Sequence, residues 1–195
     1  GCLGALVITA SHNPYNWLGL KIKSFNGCSV DESFTSEVEK RLMLGNSIEK
    51  IDGVNQLVDI KKFHLDRIKS LFDIDYISKR LKKMKLRIFV DSMHGSAANC
   101  MAEIFASNDL EVISEIRKDA DPFFGGKPPE PLLNYADDLK QTLMKNSTNE
   151  VKTLGIIFDG DGDRIAAIDE KGRYSSTQDL LPYFISYLGE IKNNS

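Results

Sequence analysis

The sequence has few cysteines, no long apolar run and nearly balanced numbers of acidic and basic residues. Each of these features excludes a class of protein. Its 195 residues include only three cysteines, which lie far apart and form no C-x-x-C pair: Cys2, Cys28 and Cys100. This spacing indicates neither a zinc knuckle nor a disulfide framework, and it favours free thiols in a reducing compartment.

Signals for membranes and secretion are also missing. No apolar run approaches the roughly 20 residues of a membrane-spanning helix, and residues 1–10 lack the basic start of a signal peptide. We therefore expect a cytoplasmic protein with no membrane partner. Because the chain begins almost directly in a predicted strand and ends soon after a predicted helix, we also expect a fragment of a longer protein.

The charge balance argues against a nucleic-acid partner. Lysine and arginine number 25, aspartate and glutamate number 28, and the formal net charge is −3. A weakly acidic chain lacks the basic surface that binds a phosphate backbone. The one basic stretch, residues 79–87, has no interleaved aromatic side chains, and we interpret it as a solvated helix end that leads into a strand.

Hydrophobic periodicity predicts strands that alternate with helices. Apolar or alternating runs predict a buried strand at residues 2–10 and further strands at 18–25, 86–91, 110–116, 153–158 and 165–169. Helical spacing predicts helices at 33–44 and 63–83, the second in two pieces broken near 73–75. Three more helices are predicted from the apolar stripes Ala97, Met101, Ile104 and Phe105; Leu132, Ala136, Leu139 and Leu143; and Leu181, Phe184, Ile185 and Leu188.

This alternation is typical of the α/β class. We predict mixed, mainly parallel sheets with flanking helices, and loops at 46–57 and 117–131. A domain boundary near Lys82 divides residues 1–82, part of one domain, from residues 83–195, a nearly complete second domain.

The most specific local motif is the acidic stretch FDGDGDR, in which Asp159, Asp161 and Asp163 alternate with glycines. Glycine permits tight turning, so three carboxylates can converge, and their mutual repulsion favours a bound cation. Oxygen ligands suit a hard ion such as Mg²⁺. An EF-hand loop is excluded because Arg164 occupies the position that needs glycine and because the flanking runs are β-like. The remaining alternative is a polar β-turn that happens to be acidic.

A second motif, ITASHNPYNWLGLKIK, places Ser11, His12 and Asn13 at the end of a predicted strand, before Pro14. It does not match the G-x-S-x-G hydrolase elbow. Taken alone, it is explained by Ser11 and Asn13 capping a turn. A serine at one strand end and a metal loop at another, however, form a phosphoryl-transfer pair, since a metal could offset the charge of about −1.5 to −2 on a phosphoserine.

Four segments together resemble the α-D-phosphohexomutases, the family of phosphoglucomutase and phosphomannomutase: TASHNP (9–14), VDSMHGSAA (90–98), PPEPL (128–132) and DGDGDR (159–164). The resemblance implies a four-domain enzyme. Residues 1–82 would hold part of the first domain with its phosphoserine loop. Residues 83–195 would hold the second domain with its Mg²⁺ loop and reach the linker to a third domain, while the sugar-recognition and C-terminal phosphate-binding domains are not in this chain.

The resemblance also implies roles for individual residues. Ser11 would carry the phosphate and contribute a ligand to Mg²⁺ beside Asp159, Asp161 and Asp163. Phosphate would pass from Ser11 to a hexose monophosphate, and the hexose bisphosphate intermediate would return its other phosphate to Ser11. The net reaction moves phosphate between the 1- and 6-positions.

The remaining site residues are basic or polar. Lys21 matches the general base of the family, although by its pattern alone it is an exposed strand lysine. Arg164 could hold phosphate oxygens in a bidentate fork, and His12 and Asn13 would shape the phosphoserine site. His94 is interpreted as a turn residue and His64 as a surface residue.

We therefore expect an intramolecular phosphotransferase that uses Mg²⁺ and acts on hexose phosphates. Three alternatives stay open: a fragment that binds Mg²⁺ but is catalytically incomplete, which we expect of the isolated chain; a non-catalytic homologue that binds sugar phosphates; and a metal-dependent phosphatase. The preferred hexose and the oligomeric state are not determined by the sequence.

Overall fold

A computed structural model describes residues 2–45, 53–106 and 112–193 of the chain. The chain forms two compact units, one of Gly1–Ala10 and Leu18–Ile60, the other of Ser11–Trp17 and Lys61–Ser195. Within the described ranges, no helix is long and apolar enough to cross a membrane.

The first unit is built on a two-stranded antiparallel sheet. Strand β1 (Gly4–Ile8) pairs with β2 (Leu20–Ser24), with Ile8 opposite Leu20, and helix α1 (Glu32–Met43) follows. The prediction that the first strand is buried is wrong, because Leu6 and Ile8 are 70% and 73% exposed. In the part of the chain that the structure describes, β1 has β2 as its only strand partner, so no further strands enclose its side chains.

The second unit contains a five-stranded mixed sheet. Its strands lie in the order β4-β3-β5-β6-β7. The β3 strand is parallel to β4 and β5, whereas β6 is antiparallel to β5 and β7. The elements are α2 (Ile60–Leu71), α3 (Ile74–Lys83), β3 (Leu86–Asp91), α4 (Cys100–Phe105), β4 (Ile113–Ile116), α5 (Asp137–Asn146), β5 (Lys152–Phe158), β6 (Ile165–Asp169), β7 (Tyr174–Ser175) and α6 (Thr177–Asn193).

The core of the second unit lies on both faces of this sheet, because successive strand residues point to opposite sides. Ile88 and Val90 of β3 belong to a cluster with buried side chains of α2, α3 and α4. Phe89, between them, belongs to a second cluster with Leu139 and Leu143 of α5. Helices therefore cover both faces, and the predicted α/β class with mixed sheets and flanking helices is confirmed.

Most predicted elements are present, with two differences in detail. The sheet of the second unit has as many antiparallel as parallel pairings, because the short acidic loop returns the chain as a hairpin after β5. The predicted stripe beginning at Leu132 is helical only from Asp137, because a short 3₁₀ turn (Leu133–Tyr135) precedes α5. The predicted break between α2 and α3 is present, and the side chain of Asp73 caps α3 by accepting from Tyr76 N at 2.8 Å.

Parts of the predicted loop at 46–57 and of the predicted strand at 110–116 lie outside the described residues. The apolar stripe of α6 is present but substantially exposed, with Phe184 at 45% and Ile185 at 62%.

Candidate active site

The acidic loop connects two antiparallel strands. Phe158, the last residue of β5, is opposite Ile165, the first residue of β6, so residues 159–164 form the tip of a hairpin. Gly162 has φ 77°, a left-handed conformation that a residue with a Cβ adopts only with strain. The loop is thereby turned tightly enough to bring its alternate carboxylates to one side.

The three carboxylates converge in the way the sequence predicts. One oxygen each of Asp159, Asp161 and Asp163 lies within 4.8 Å of the others, and burial decreases along the loop from the buried Asp159 to the exposed Asp163. Three carboxylate oxygens this close fit a hard divalent cation such as Mg²⁺. The residues present therefore suit a metal ion at the open end of the loop.

Arg164 closes the buried end of the cluster. Its backbone N–H donates to Asp159 Oδ1 and its side-chain Nε donates to Asp159 Oδ2, both at 3.0 Å. Asp159 has no exposed surface. The guanidinium thus compensates a carboxylate that would be costly to bury alone.

The serine loop, residues 11–17, lies against the acidic loop. The Ser11 hydroxyl donates to Asp161 Oδ1 at 3.1 Å, and Ser11 itself has φ 54°. The backbones approach so closely that a Cβ placed on Gly160 would lie 2.4 Å from the Ser11 carbonyl oxygen. Glycine at position 160 is therefore required for this approach, and the structure brings Ser11 to the carboxylate cluster.

A proline-rich segment, residues 128–132, contacts both loops. The buried Pro129 accepts a hydrogen bond from Gly160 N at 3.0 Å. Glu130 Oε1 lies 3.5 Å from Arg164 Nη1 and 3.8 Å from His12 Nε2. Glu130 is not among the site residues that the sequence predicts. The feature that could have pointed to it is a single carboxylate between prolines, in a loop that follows a parallel strand.

Tyr174 anchors the same segment from β7. Its hydroxyl donates to Pro131 O at 2.5 Å. Burial raises the pKa of Tyr174, and the nearby charges of Asp179 and Glu130 raise it further, so the tyrosine is held neutral as a donor.

A further loop, residues 92–97, braces the acidic loop. Ser96 N donates to Gly160 O at 3.0 Å. Below it, the fully buried Asp91 at the end of β3 accepts from Arg117 Nε at 2.8 Å and from Arg117 Nη2 at 2.5 Å. The His94 ring nitrogen Nδ1 is 2.7 Å from Asp119 O, within this network.

The other predicted residues lie as follows. Asn13 is half-buried in the serine loop, and His64 is exposed on α2. Lys21 lies on β2 in the first unit, with Val7 as its strand partner. The structure thus groups Ser11, His12, Arg164 and the three aspartates within the second unit.

The Ser11 hydroxyl donates into a carboxylate cluster at the end of β5, the central strand of a mixed sheet that helices cover on both faces. This arrangement defines a candidate metal-dependent transfer site in an α/β protein. Comparison with known proteins gives the family. The model of phosphoglucomutase/phosphomannomutase alpha/beta/alpha domain II matches residues 62–172, and that of domain I matches residues 1–47. The chain belongs to this family, and its resemblance to the α-D-phosphohexomutases is confirmed.

Individual relatives agree with this assignment. The chain is 31% identical over 196 residues to a phosphoglucosamine mutase of Methanococcus vannielii, covering 96% of this chain and 41% of that protein. It is 28% identical over 217 residues to phosphoglucomutase 1 of Drosophila melanogaster, covering 97% and 38%. The fold matches a phosphoglucomutase/phosphomannomutase family structure from Burkholderia thailandensis with a TM-score of 0.68, at 23% identity over 88% of this chain and 34% of that one. The chain thus spans well under half the length of these relatives.

Proposed function

We propose that the protein is an Mg²⁺-dependent phosphohexomutase that moves phosphate between the 1- and 6-positions of a hexose phosphate through a phosphoserine at Ser11. The observation that carries this proposal is the Ser11 hydroxyl, which donates to Asp161 within a three-aspartate cluster. A serine that only caps a turn would not be expected to contact a cluster of three carboxylates, one of which is 150 residues away in sequence. Membership of the mutase family supports the same chemistry.

Asp159, Asp161 and Asp163, with an oxygen on Ser11, would hold the metal ion. When bound, Mg²⁺ would offset the negative charge of the phosphate and polarise its bond to the serine oxygen. Ser11 Oγ donates to Asp161, the middle carboxylate of the cluster, and Ser11 is half-buried. A phosphate on this oxygen would be next to the carboxylates that hold the cation.

In the proposed transfer, a hexose hydroxyl forms a new O–P bond as the Ser11 Oγ–P bond breaks. The hydroxyl proton passes to the neutral amine of Lys21 and from there to the departing Ser11 Oγ, which becomes a hydroxyl. The hexose bisphosphate then reorients in the site, Ser11 Oγ forms an O–P bond to its other phosphate as the bond to the hexose oxygen breaks, and the serine proton passes through Lys21 to that oxygen. Lys21 as the base rests on the family motif, and a lysine can act so only when its pKa is lowered.

Arg164 and the serine loop would orient the phosphate. Arg164 is fixed by Asp159 and can offer further guanidinium N–H groups to phosphate oxygens. His12 and Asn13 flank Ser11 in the chain and would shape its surroundings. These roles belong to the proposal.

The substrate class follows from relatives, which are named for different sugars: a phosphoglucosamine mutase and a phosphoglucomutase. We therefore propose a hexose phosphate and a hexose bisphosphate as partners and leave the sugar open. The division into residues 1–82 and 83–195, a cytoplasmic location and the lack of a nucleic-acid partner remain predictions.

Peptide-mapping mass spectrometry tests the proposal most directly. The chain is analysed before and after incubation with glucose 1,6-bisphosphate and Mg²⁺, beside the variants Ser11→Ala and Ser70→Ala. The isolated chain is expected to be incomplete as a mutase, but the half-reaction at Ser11 uses residues that it contains. We therefore expect one phosphate on the peptide that contains Ser11, absent in Ser11→Ala and retained in Ser70→Ala, which changes an exposed serine on α2.

Other outcomes distinguish the alternatives. Absence of phosphate on Ser11 in both samples, with Mn²⁺ still bound, identifies a metal-binding but catalytically incomplete chain. Release of inorganic phosphate to water without any transfer back to a sugar identifies a phosphatase. Either result contradicts transfer of phosphate between Ser11 and a hexose in this chain.

A further inference from the structure

Glu130 lies between two basic side chains that come from different loops. Its Oε1 is 3.5 Å from Arg164 Nη1, which follows the acidic loop, and 3.8 Å from His12 Nε2 in the serine loop. The separation from Arg164 is that of an ion pair rather than of a short hydrogen bond, and the separation from His12 is an ion pair only when the imidazole is protonated. The Glu130 side chain is 25% exposed, so its charge is only partly screened.

One further nitrogen of each basic group has no hydrogen-bond partner among the described residues. Arg164 Nη2 and His12 Nδ1 are buried atoms for which the described chain offers no hydrogen-bond acceptor or donor. Buried polar atoms are almost always paired in folded proteins. Two such atoms, on residues that flank the Ser11–Asp161 contact, indicate a place where an anion completes the hydrogen bonding.

Two carboxylates together fix the orientation of Arg164. Asp159 accepts from Nε at 3.0 Å, and Glu130 lies nearest Nη1. These contacts engage two of the three guanidinium nitrogens and leave Nη2. Because a guanidinium is planar, fixing two nitrogens also fixes the direction of the third.

We propose that Glu130 is a positioning residue, which holds Arg164 and His12 so that Arg164 Nη2 and His12 Nδ1 are presented to the phosphate on Ser11. This inference rests on the proposed function for the identity of the anion. The buried Pro129 supports it, since its carbonyl accepts from Gly160 N and thereby joins the same segment to the acidic loop.

Nuclear magnetic resonance of the ¹⁵N-labelled chain tests the positioning directly. In the unchanged chain we expect separate resonances for the Arg164 Hη protons, because its guanidinium cannot rotate freely, with the assignment made from an Arg164→Lys variant. Glu130→Gln keeps the side-chain shape and removes the charge, so these resonances should merge. Glu103→Gln is the matched control, since Glu103 pairs with Lys61 on the surface, and it should leave them unchanged.

The rate of Ser11 phosphorylation by glucose 1,6-bisphosphate tests the consequence. We expect Glu130→Gln to lower this rate by about fivefold, which is the energy of a partly exposed ion pair converted to a ratio of rates. Thermal unfolding and Mn²⁺ affinity should stay unchanged. If Glu130 acts only through Arg164 and His12, adding Glu130→Gln to the double variant Arg164→Gln/His12→Gln should slow phosphorylation no further.

The two measurements separate failure of this inference from failure of the proposed function. Unchanged Arg164 resonances in Glu130→Gln overturn the positioning role, whether or not the chain takes up phosphate. A further loss of rate on adding Glu130→Gln to Arg164→Gln/His12→Gln also overturns it. If the unchanged chain is not phosphorylated, the proposed function fails, and the resonances together with ³¹P-detected binding of inorganic phosphate still decide whether Glu130 presents Arg164 to an anion.

Discussion

The Ser11 hydroxyl donates to Asp161 Oδ1 at 3.1 Å, although the two residues are 150 positions apart in the chain. This hydrogen bond joins the serine loop to the carboxylate cluster. It joins the proposed metal site and the proposed phosphate carrier in one arrangement, so a change in either loop should alter the behaviour of the other.

Removing one carboxylate of the cluster should weaken divalent cation binding. We expect Asp161→Asn to lower Mn²⁺ affinity by at least about tenfold, since losing a ligand costs no less than losing the groups that support one. Titration calorimetry or the Mn²⁺ electron paramagnetic resonance signal measures this loss. Asp66→Asn, which changes an exposed aspartate of α2, is the control, and an equal loss in both variants would show that the effect is general charge.

Gly160→Ala should drive the serine and acidic loops apart. The added Cβ would lie 2.4 Å from Ser11 O and 2.8 Å from Pro129 Cγ. We expect the free energy of unfolding to fall by about 1–3 kcal/mol, as for overpacked sites, and Ser11 phosphorylation to be lost. Gly189→Ala is the control.

The control differs in its surroundings. A Cβ on Gly189, within α6, meets no atom within 4 Å. The change should be neutral or stabilise by up to about 1 kcal/mol, because alanine favours a helix. Urea unfolding compares the two variants. A Gly160→Ala protein as stable as Gly189→Ala would show that the close approach does not exist in solution.

The buried pair of Asp91 and Arg117 should be much more important for stability than a surface pair. Arg117→Met leaves the fully buried Asp91 carboxylate without its partner. The expected cost is about 3–5 kcal/mol. Arg41→Met breaks an exposed pair with Glu37 and should cost no more than about 0.5 kcal/mol. Similar urea midpoints for both variants would contradict the buried pair.

Alkaline pH should destabilise the second unit through Tyr174. Burial, with the charges of Asp179 and Glu130, raises the pKa of Tyr174 above its ordinary value of 10.0. A raised pKa in the folded state stabilises the fold fully below pH 10.0, and this contribution is lost as the pH rises through the folded-state pKa. The free energy of unfolding should therefore fall as the pH rises above 10.0 toward the folded-state pKa of Tyr174.

Tyr174→Phe tests this assignment. It removes the hydrogen bond to Pro131 O, so we expect a loss of about 1 kcal/mol at neutral pH and a weaker dependence on alkaline pH. Tyr183→Phe, at a tyrosine that is 74% exposed on α6, should change neither. An unaltered alkaline dependence in Tyr174→Phe would assign it to another group.

Local patterns were sufficient to predict most of the elements. Hydrophobic periodicity and capping preferences act over a few residues. They account for helix α1, the break that Asp73 caps before α3, and the strands that flank the acidic loop. The convergence of Asp159, Asp161 and Asp163 is predictable for the same reason, since alternating glycines allow it within one turn.

Which distant residues meet depends on the folded path of the chain. Three contacts depend on the path of the chain through the sheet and its loops. They are the contact of Ser11 with Asp161, the place of Glu130 between Arg164 and His12, and the burial of Asp91 against Arg117. The same is true of the exposure of β1, since an apolar strand is buried only where other elements cover it. The local elements and the chemical character of both loops follow from the sequence, because they depend on neighbouring residues. Long-range packing determined the site, because hydrogen bonds and ion pairs across many residues form only when the whole unit folds.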